Sequence, residues 1–196
     1  MLIDRYLPVY HYHEKHSIDV RAQRDAVYRA IREVKYGDIP VLRLLFGIRM
    51  LPAWLAGKVK TGASDGDDPF IKRMMRYGFM LLEEAEGQEL VVGVVGPFWR
   101  PIRNEPIRLD SAQAFINCDS PRHAKAVMNF QVREQSSGTM RVITETRILT
   151  QHRSVRLKFG LYWLLIYPGS ALIRCGLLRA IKTNAEKERV VYGSQT

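Results

Sequence analysis

The sequence predicts an α+β fold in which an antiparallel β-sheet packs against a long C-terminal helix. Apolar and polar residues alternate in several stretches between residues 75 and 150, which is the period of β-strands. From residue 152 to about residue 188 the apolar residues recur every three or four positions, as in a helix. The 196 residues are 46% hydrophobic and 26% charged, which is typical of a globular protein. We expect one domain over residues 1–196, with a flexible tail at 189–196.

The N-terminal third is predicted to hold one strand and then two short helices. Residues 11–22 alternate weakly, as in a half-buried strand. Residues 23–34 change to helical spacing, with arginines between the apolar positions. A second helix is expected over 38–52, because Asp and Pro can begin it and another Pro ends it. The Gly- and Asp-rich stretch 60–69 is predicted to be an exposed loop.

The middle of the chain is predicted to supply most of the sheet. Five further strands are expected from period-two alternation, at residues 75–81, 89–95, 113–118, 124–134 and 139–150. A charged turn around Gly87 joins the first two, and a tight turn at 136–138 joins the last two. Phe98 and Trp99 lie in a Pro-rich stretch and are expected to fold back onto the core.

The helix predicted from residue 152 is too long to cross a small domain without bending, and Pro168 is the expected kink. Its uncharged stretch 159–173 is shorter than a bilayer span and is interrupted by Pro, Gly and Ser. A buried helix is therefore the favoured interpretation. Its apolar stripe before the kink is formed by Leu157, Leu161, Leu164 and Leu165.

Three segments carry a resemblance to a known superfamily. They are HSIDVRAQRDAVYRAIREV (16–34), AKAVMNFQVREQSSGTMRVITETRILT (124–150) and HRSVRLKFGLYWLLI (152–166). Their order resembles the helix-grip architecture of the START and Bet v 1-like (SRPBCC) superfamily, which includes polyketide cyclase-like proteins. The resemblance implies a curved sheet wrapped around the C-terminal helix, with a cavity between them that takes apolar molecules.

The residues expected to line that cavity are mostly aromatic or apolar, as in other ligand pockets. They are Tyr77, Phe79, Phe98, Trp99, Met128, Phe130, Val142, Thr144, Tyr162, Trp163 and Ile166. The same bulky side chains are equally able to fill the space as ordinary core. No cofactor is expected.

Charge is concentrated at the two ends of the chain. The net charge is +10, divided as +5 over residues 1–60, −1 over 61–150 and +6 over 151–196. No run of five basic residues occurs, and basic and aromatic residues do not interleave as in RNA-binding strands, so no specific nucleic-acid partner is expected. Weak contact with an anionic membrane is a further alternative. Its expected contacts are Arg153, Arg156, Lys158, Arg174, Arg179 and Lys182.

Few side chains suggest chemistry. His11 and His13 share a strand face, but His16 falls on the other and no Cys or carboxylate has matching spacing, so a metal site is disfavoured. Glu145 and Arg147 share a face and could act inside a cavity, although a surface ion pair is the favoured interpretation.

The leading functional hypothesis is a carrier or sensor that binds a hydrophobic or amphipathic small molecule. One alternative is a cyclase- or dehydratase-like enzyme that uses Glu145, Arg147 or Tyr77 as acid, base or anchor. A peripheral binding module that uses the basic helices is another. Cys118 and Cys175 show no metal or disulfide spacing, and the N-terminus lacks a signal-peptide pattern, so a cytoplasmic location is expected.

Overall fold

The computed structural model describes residues 1–41, 67–100 and 105–193, with side chains described up to residue 187. The helices are α1 (Ile3–Tyr6), α2 (Arg24–Glu33), α3 (Phe70–Arg76), α4 (Ala112–Asn117) and α5 (Arg153–Gly193), with a 3-10 turn at Tyr36–Asp38. The strands are β1 (Tyr12–Val20), β2 (Met80–Ala85), β3 (Glu89–Gly96), β4 (Ala124–Glu134) and β5 (Met140–Thr150).

The five strands form one antiparallel sheet in the order β1-β5-β4-β3-β2. In register, Glu14 of β1 faces Thr146 of β5, and Thr146 in turn faces Met128 of β4. Because side chains alternate between the faces, these three residues lie on the same face. The long helix α5 packs on that face, which we call the inner face, so the architecture is α+β and of the helix-grip type.

The main core lies between the inner face, α2 and the C-terminal half of α5. Fully buried side chains from all three parts meet there: Val27 and Ile31 from α2, Phe130 and Val142 from the sheet, and Leu177 and Ile181 from α5. The amphipathic pattern of α2 explains its place, because its apolar residues fall on one side and its arginines on the other.

The opposite face of the sheet, the outer face, is also covered. Ile3 and Leu7 around α1 and Phe115 of α4 pack on Val91 and Val127 in a second core cluster. Helix α1 begins on a carboxylate of the sheet, because the Leu2 backbone N–H donates to Glu89 Oε2 at 2.9 Å. The sheet is therefore sandwiched between helices on both sides.

Most of the predicted elements are confirmed. The strand at 11–22, the helix at 23–34 and the strands at 124–134 and 139–150 all occur within one or two residues of their expected bounds. The long C-terminal helix begins within one residue of its expected start and continues to Gly193, about five residues beyond its expected end. The predicted helix at 38–52 and the loop at 60–69 lie largely outside the described residues. The expected bend at Pro168 stays a prediction, although this proline does lie inside α5.

Two strand predictions are wrong. Residues 113–117 belong to the helix α4, because the Ser111 hydroxyl caps this helix by accepting from the Ala114 backbone N–H at 3.1 Å. The start of the predicted strand at 75–81 is the end of α3, and the strand begins only at Met80. Alternation over five or six residues does not exclude one or two helical turns.

The apolar stripe of α5 is not buried as predicted. Leu157, Leu161, Leu164 and Leu165 are between 68% and 81% exposed, while Phe159 on the opposite side of the helix is buried. The C-terminal half of α5 carries the core contacts instead. The predicted buried helix over 159–173 is therefore wrong for one of its two faces.

Candidate functional site

A group of polar side chains lies between the middle of α5 and the inner face. Such residues are unusual in a core position, where polar groups must find partners or remain costly. They are Glu14 and His16 from β1, Thr144 and Thr146 from β5, and Ser170, Arg174 and Cys175 from α5. We call this group the inner polar cluster.

Glu14 is the best-satisfied member of the inner polar cluster. It is only 3% exposed, and the Ser170 hydroxyl donates to its Oε2 at 2.7 Å. His16 Nε2 lies 2.8 Å from the other carboxylate oxygen. Both oxygens of Glu14 are therefore engaged by neighbours, which fixes the orientation of the His16 ring.

Arg174 has a different environment. Its guanidinium points at the sheet and contacts the sulfur of Met128. Burial lowers the pKa of Arg174 to about 10, although the charge of Glu14 acts in the opposite direction. Within the described part of the chain the guanidinium has no ion-pair partner. Arg174 was expected among the surface cations, and this expectation is wrong.

Thr144 adds an unused hydroxyl to the inner polar cluster. It is 1% exposed, and its Oγ1 has no hydrogen-bond partner in the described residues. In register it lies between His16 on β1 and Phe130 on β4. A buried hydroxyl without a partner costs free energy, so this atom is available to a bound polar group.

Cys175 extends the contacts of His16. Its Sγ lies 3.9 Å from His16 Nδ1, while Nε2 of the same ring faces Glu14. When the Nε2 proton is donated to Glu14, the Nδ1 lone pair faces the thiol. The order carboxylate, imidazole, thiol is the arrangement that activates a nucleophile in other proteins.

An aromatic cluster lies next to the inner polar cluster, towards the N-terminal end of α5. Phe159 is its buried centre, with ring centroids 4.9 Å from Tyr12, 5.9 Å from Trp163 and 5.8 Å from Tyr162. Trp99 meets Phe159 edge to face at 6.1 Å. All but Phe159 remain partly accessible, so the cluster presents aromatic surface.

The expected cavity lining divides into three groups in the structure. Met128, Phe130, Val142 and Thr144 lie buried on the inner face, and Phe79, Phe98, Trp99, Tyr162 and Trp163 pack as partly buried side chains around the main core or the aromatic cluster. Ile166 is partly buried on α5. Tyr77 is the exception: it caps α3, is 56% exposed and contacts Arg73, so its placement on the inner face is wrong.

Glu145 and Arg147 are neither a surface pair nor part of the inner face. They are 3% and 7% exposed on the outer face, with Arg147 Nε 2.6 Å from Glu145 Oε1. The N-terminal segment buries them, since Arg147 also donates to the Leu7 carbonyl at 3.2 Å and meets Asp4 at 2.8 Å. This position removes them as cavity acid or base and makes them an anchor for the segment.

The histidines have separate partners. His13 Nε2 lies 3.1 Å from Glu145 on the outer face, and His11 contacts Arg156 of α5. No group of three or more His, Cys, Asp or Glu side chains arranged for a metal occurs among the described residues.

Lys125 is a buried amine that the sequence did not reveal. It lies under α4, where its ammonium donates to the Ile116 carbonyl at 3.0 Å and sits 5.2 Å from the Phe115 ring. Burial lowers the pKa of Lys125. The burial of Lys125 could not be predicted while residues 113–118 were predicted to be a strand, because it is the helix α4 that covers the lysine.

Comparisons with known proteins give no family assignment. No protein-family model matches the chain, and no curated protein matches it. Among solved structures, a hypothetical protein from Helicobacter pylori is similar with 9% identity and a TM-score of 0.40, covering 90% of this chain and 92% of that one. The Zhui aromatase/cyclase from a Streptomyces species has 12% identity and a TM-score of 0.33, covering 91% and 95%.

Proposed function

We propose that this protein binds an amphipathic small molecule with an acidic head group between α5 and the inner face of the sheet. The observation that carries the proposal is Arg174, a cation turned into the protein without a carboxylate partner in the described residues. Such a group is costly in an empty protein and is compensated when an anion binds.

The chemistry of the head group follows from the donors. A guanidinium binds a planar carboxylate through two parallel hydrogen bonds, and these are stronger than neutral ones. The free hydroxyl of Thr144 supplies a further donor on the same face. Glu14 is already occupied by Ser170 and His16, and it repels a second anion unless Arg174 lies between them.

The apolar part of the ligand is assigned to the aromatic cluster. Tyr162, Trp163 and Trp99 are partly accessible around Phe159, and aromatic side chains that keep accessible surface are common in pockets for apolar ligands. A ligand with its acid at Arg174 would extend its apolar body towards this cluster. This carrier or sensor activity needs no cofactor.

Calorimetric titration with two ligands of equal length tests the proposal. Dodecanoate and dodecanol share one apolar body, so the acid is the only difference. We expect the wild type to bind dodecanoate at least about 10-fold more tightly than dodecanol, because charged hydrogen bonds are worth 1.5–3 kcal/mol. Arg174→Met should remove the preference. The matched control Arg179→Met, at an exposed position of the same helix, should keep it.

Equal affinity for acid and alcohol, or an unchanged preference in Arg174→Met, would overturn the proposal. Binding to the exposed leucines of α5 is a separate possibility, and the double variant Leu161→Ser with Leu165→Ser detects it. If that double variant loses dodecanoate binding while Arg174→Met binds dodecanoate as the wild type does, the ligand lies outside the inner polar cluster.

A second candidate function, nucleophilic catalysis by Cys175, rests on the contact chain Glu14, His16, Cys175. In this candidate His16 Nδ1 accepts the thiol proton, the thiolate attacks an electrophilic carbon and the leaving group departs. Glu14 holds the imidazole in the required tautomer. The residues first considered for catalysis, Glu145, Arg147 and Tyr77, lie outside the inner polar cluster. Glu14, His16 and Cys175 therefore replace them as the candidate catalytic residues.

Alkylation with iodoacetamide tests the second candidate, and Cys118 is an internal control of similar partial burial. We expect Cys175 to react faster than Cys118, because only Cys175 has an imidazole nitrogen beside its sulfur to accept the thiol proton. His16→Gln should abolish that advantage while leaving Cys118 unchanged. Equal rates for the two thiols in the wild type would refute a catalytic Cys175.

A further inference from the structure

The N-terminal half of α5 presents an apolar face to solvent. Leu157, Leu161, Leu164, Leu165 and Leu172 are between 55% and 81% exposed. At 3.6 residues per turn they fall within a sector of about 100°, so they form one continuous stripe. We call this stripe the leucine face. A soluble protein rarely leaves a contiguous apolar patch of this kind without a partner.

Cations border the leucine face. Arg153 and Lys158 flank it at the start of the helix, and Arg179 continues the same helix side about two turns beyond Leu172; all three are exposed. No Asp or Glu occurs between residues 151 and 185, while six Lys and Arg do. The face therefore combines apolar area with the positive charge of Arg153, Lys158 and Arg179, which form no ion pair with the described residues.

We propose that the leucine face docks on the surface of an anionic lipid bilayer, with α5 lying in the plane of the interface. An apolar stripe bordered by Lys and Arg is the pattern of helices that bind there. Anionic headgroups attract the cations, and the leucines enter the boundary between headgroups and acyl chains. The inference goes beyond the small-molecule proposal and does not depend on it.

The charge pattern disfavours a second copy of the chain as the occupant. A two-fold symmetric contact through the leucine face would pack the same cations of both copies along one interface, because each patch meets itself. No acidic side chain lies between residues 151 and 185 to neutralise them. An anionic surface satisfies both the leucines and the cations.

A lipid-surface position also fits better than a transmembrane one. Arg153–Lys187 is long and apolar enough to cross a bilayer by length and composition, and 22% of its most apolar stretch is buried in the protein. The side opposite the leucines, however, packs through Phe159, Leu177 and Ile181 into the cores of the sheet. Only one face of the helix is free to meet lipid.

Flotation with vesicles tests the inference on the full chain. One set of vesicles consists of phosphatidylcholine alone, and the other contains a large fraction of phosphatidylserine. We expect binding to the anionic vesicles only, weakening as salt rises. Leu161→Ser with Leu165→Ser should weaken binding at least about 10-fold, because each leucine contributes more than 1 kcal/mol when it leaves water. Ile116→Ser on α4, also exposed, is the matched control and should bind as the wild type does.

The double variant Arg153→Gln with Lys158→Gln should reduce both the affinity for anionic vesicles and the salt dependence of that affinity. The control Lys72→Gln with Arg122→Gln, which removes two exposed cations elsewhere, should change neither.

Several outcomes would overturn the inference. One is that the wild type does not bind anionic vesicles at low salt, as expected if another part of the chain covers the leucine face. Another is that the double serine variant binds anionic vesicles as tightly as the wild type. Self-association that this variant abolishes without changing vesicle binding would assign the face to a second copy. Resistance to alkaline extraction would indicate a spanning helix.

Discussion

Replacing Arg174 by Met separates a functional role of this residue from a structural one. Met has similar reach and no charge, and the guanidinium already contacts the sulfur of Met128. If Arg174 is kept for ligand binding, its removal should relieve a cost in the empty protein. If it holds the fold together, removal should destabilise the protein.

The expected magnitude follows from the pKa of Arg174, which burial lowers from its usual value to about 10. At 1.36 kcal/mol per unit, this depression corresponds to about 3 kcal/mol against the charged form in the folded state. Arg174 keeps part of its surface accessible, so solvent screening reduces the cost to about 2 kcal/mol. We therefore expect Arg174→Met to raise the free energy of unfolding by about 2 kcal/mol.

Urea unfolding at neutral pH, followed by tryptophan fluorescence, measures this change. The midpoint should rise in Arg174→Met with an unchanged slope, which indicates an effect on stability alone. Arg179→Met, at an exposed position, should stay within about 0.5 kcal/mol of the wild type. A loss of 2 kcal/mol or more in Arg174→Met, together with undiminished dodecanoate binding, would refute the reasoning.

Three further predictions concern the fold. Glu145→Gln should cost about 2 kcal/mol in urea unfolding, because it removes the buried carboxylate that pairs with Arg147 and leaves the guanidinium with the exposed Asp4 and the Leu7 carbonyl. Burial raises the pKa of Glu145, but the hydrogen bond and charge of Arg147 outweigh it and hold that pKa below its usual range. The wild type should therefore lose this stability as pH falls through the folded pKa, from about pH 4 downward, and the variant should not. Gly93→Ala should cost about 1–3 kcal/mol, since the added Cβ would lie 2.8 Å from the Phe115 ring. Ser111→Ala should cost about 1 kcal/mol by removing the cap of α4.

Each of these predictions has an outcome that contradicts it. A variant Glu145→Gln with wild-type stability at neutral pH, or with the same acid dependence, would show that the outer-face pair is not a stabilising anchor. Gly93→Ala with an unchanged midpoint would mean that the sheet and α4 separate easily. For the cap, Ser136→Ala in an exposed turn is the control, and equal effects of the two serine changes would remove the capping argument.

The periodicity of the sequence predicted the elements that are long and half-buried. The strands β4 and β5, the helix α2 and the helix α5 each repeat their pattern over ten or more residues, so the period is unambiguous. The short helices α1 and α4 have four and six residues, which is too few to establish a period. They are fixed by a cap and by contacts with the outer face, which are properties of the folded chain.

Part of the inner polar cluster is visible in the sequence as polar residues that share the buried face of a strand or helix. Glu14 and His16 alternate in step with Ile18 and Val20, so all four share one strand face. On the helix, Arg174 precedes Leu177 and Ile181 at spacings of three and seven, which also places it on the buried side. A polar residue at a position of the apolar, buried face indicates a candidate site. Glu14, His16 and Arg174 all meet this criterion.

The depth of Glu145 and Arg147 could not be predicted from their strand. Alternation shows that they share a face, but both faces of β5 carry polar and apolar residues. The outer face becomes an interior only because α1 and the segment after it lie across the sheet. That contact joins residues about 140 positions apart, which no local pattern reports.

Native mass spectrometry of the purified chain, followed by solvent extraction of whatever it carries, tests the central claim most directly. We expect a discrete extra mass on the wild type and on Arg179→Met that denaturation releases, with an acidic group in the extracted compound. Arg174→Met should carry much less of it. Equal occupancy in Arg174→Met, an extracted compound without an acid, or a bare wild-type chain even after incubation with dodecanoate would contradict the account.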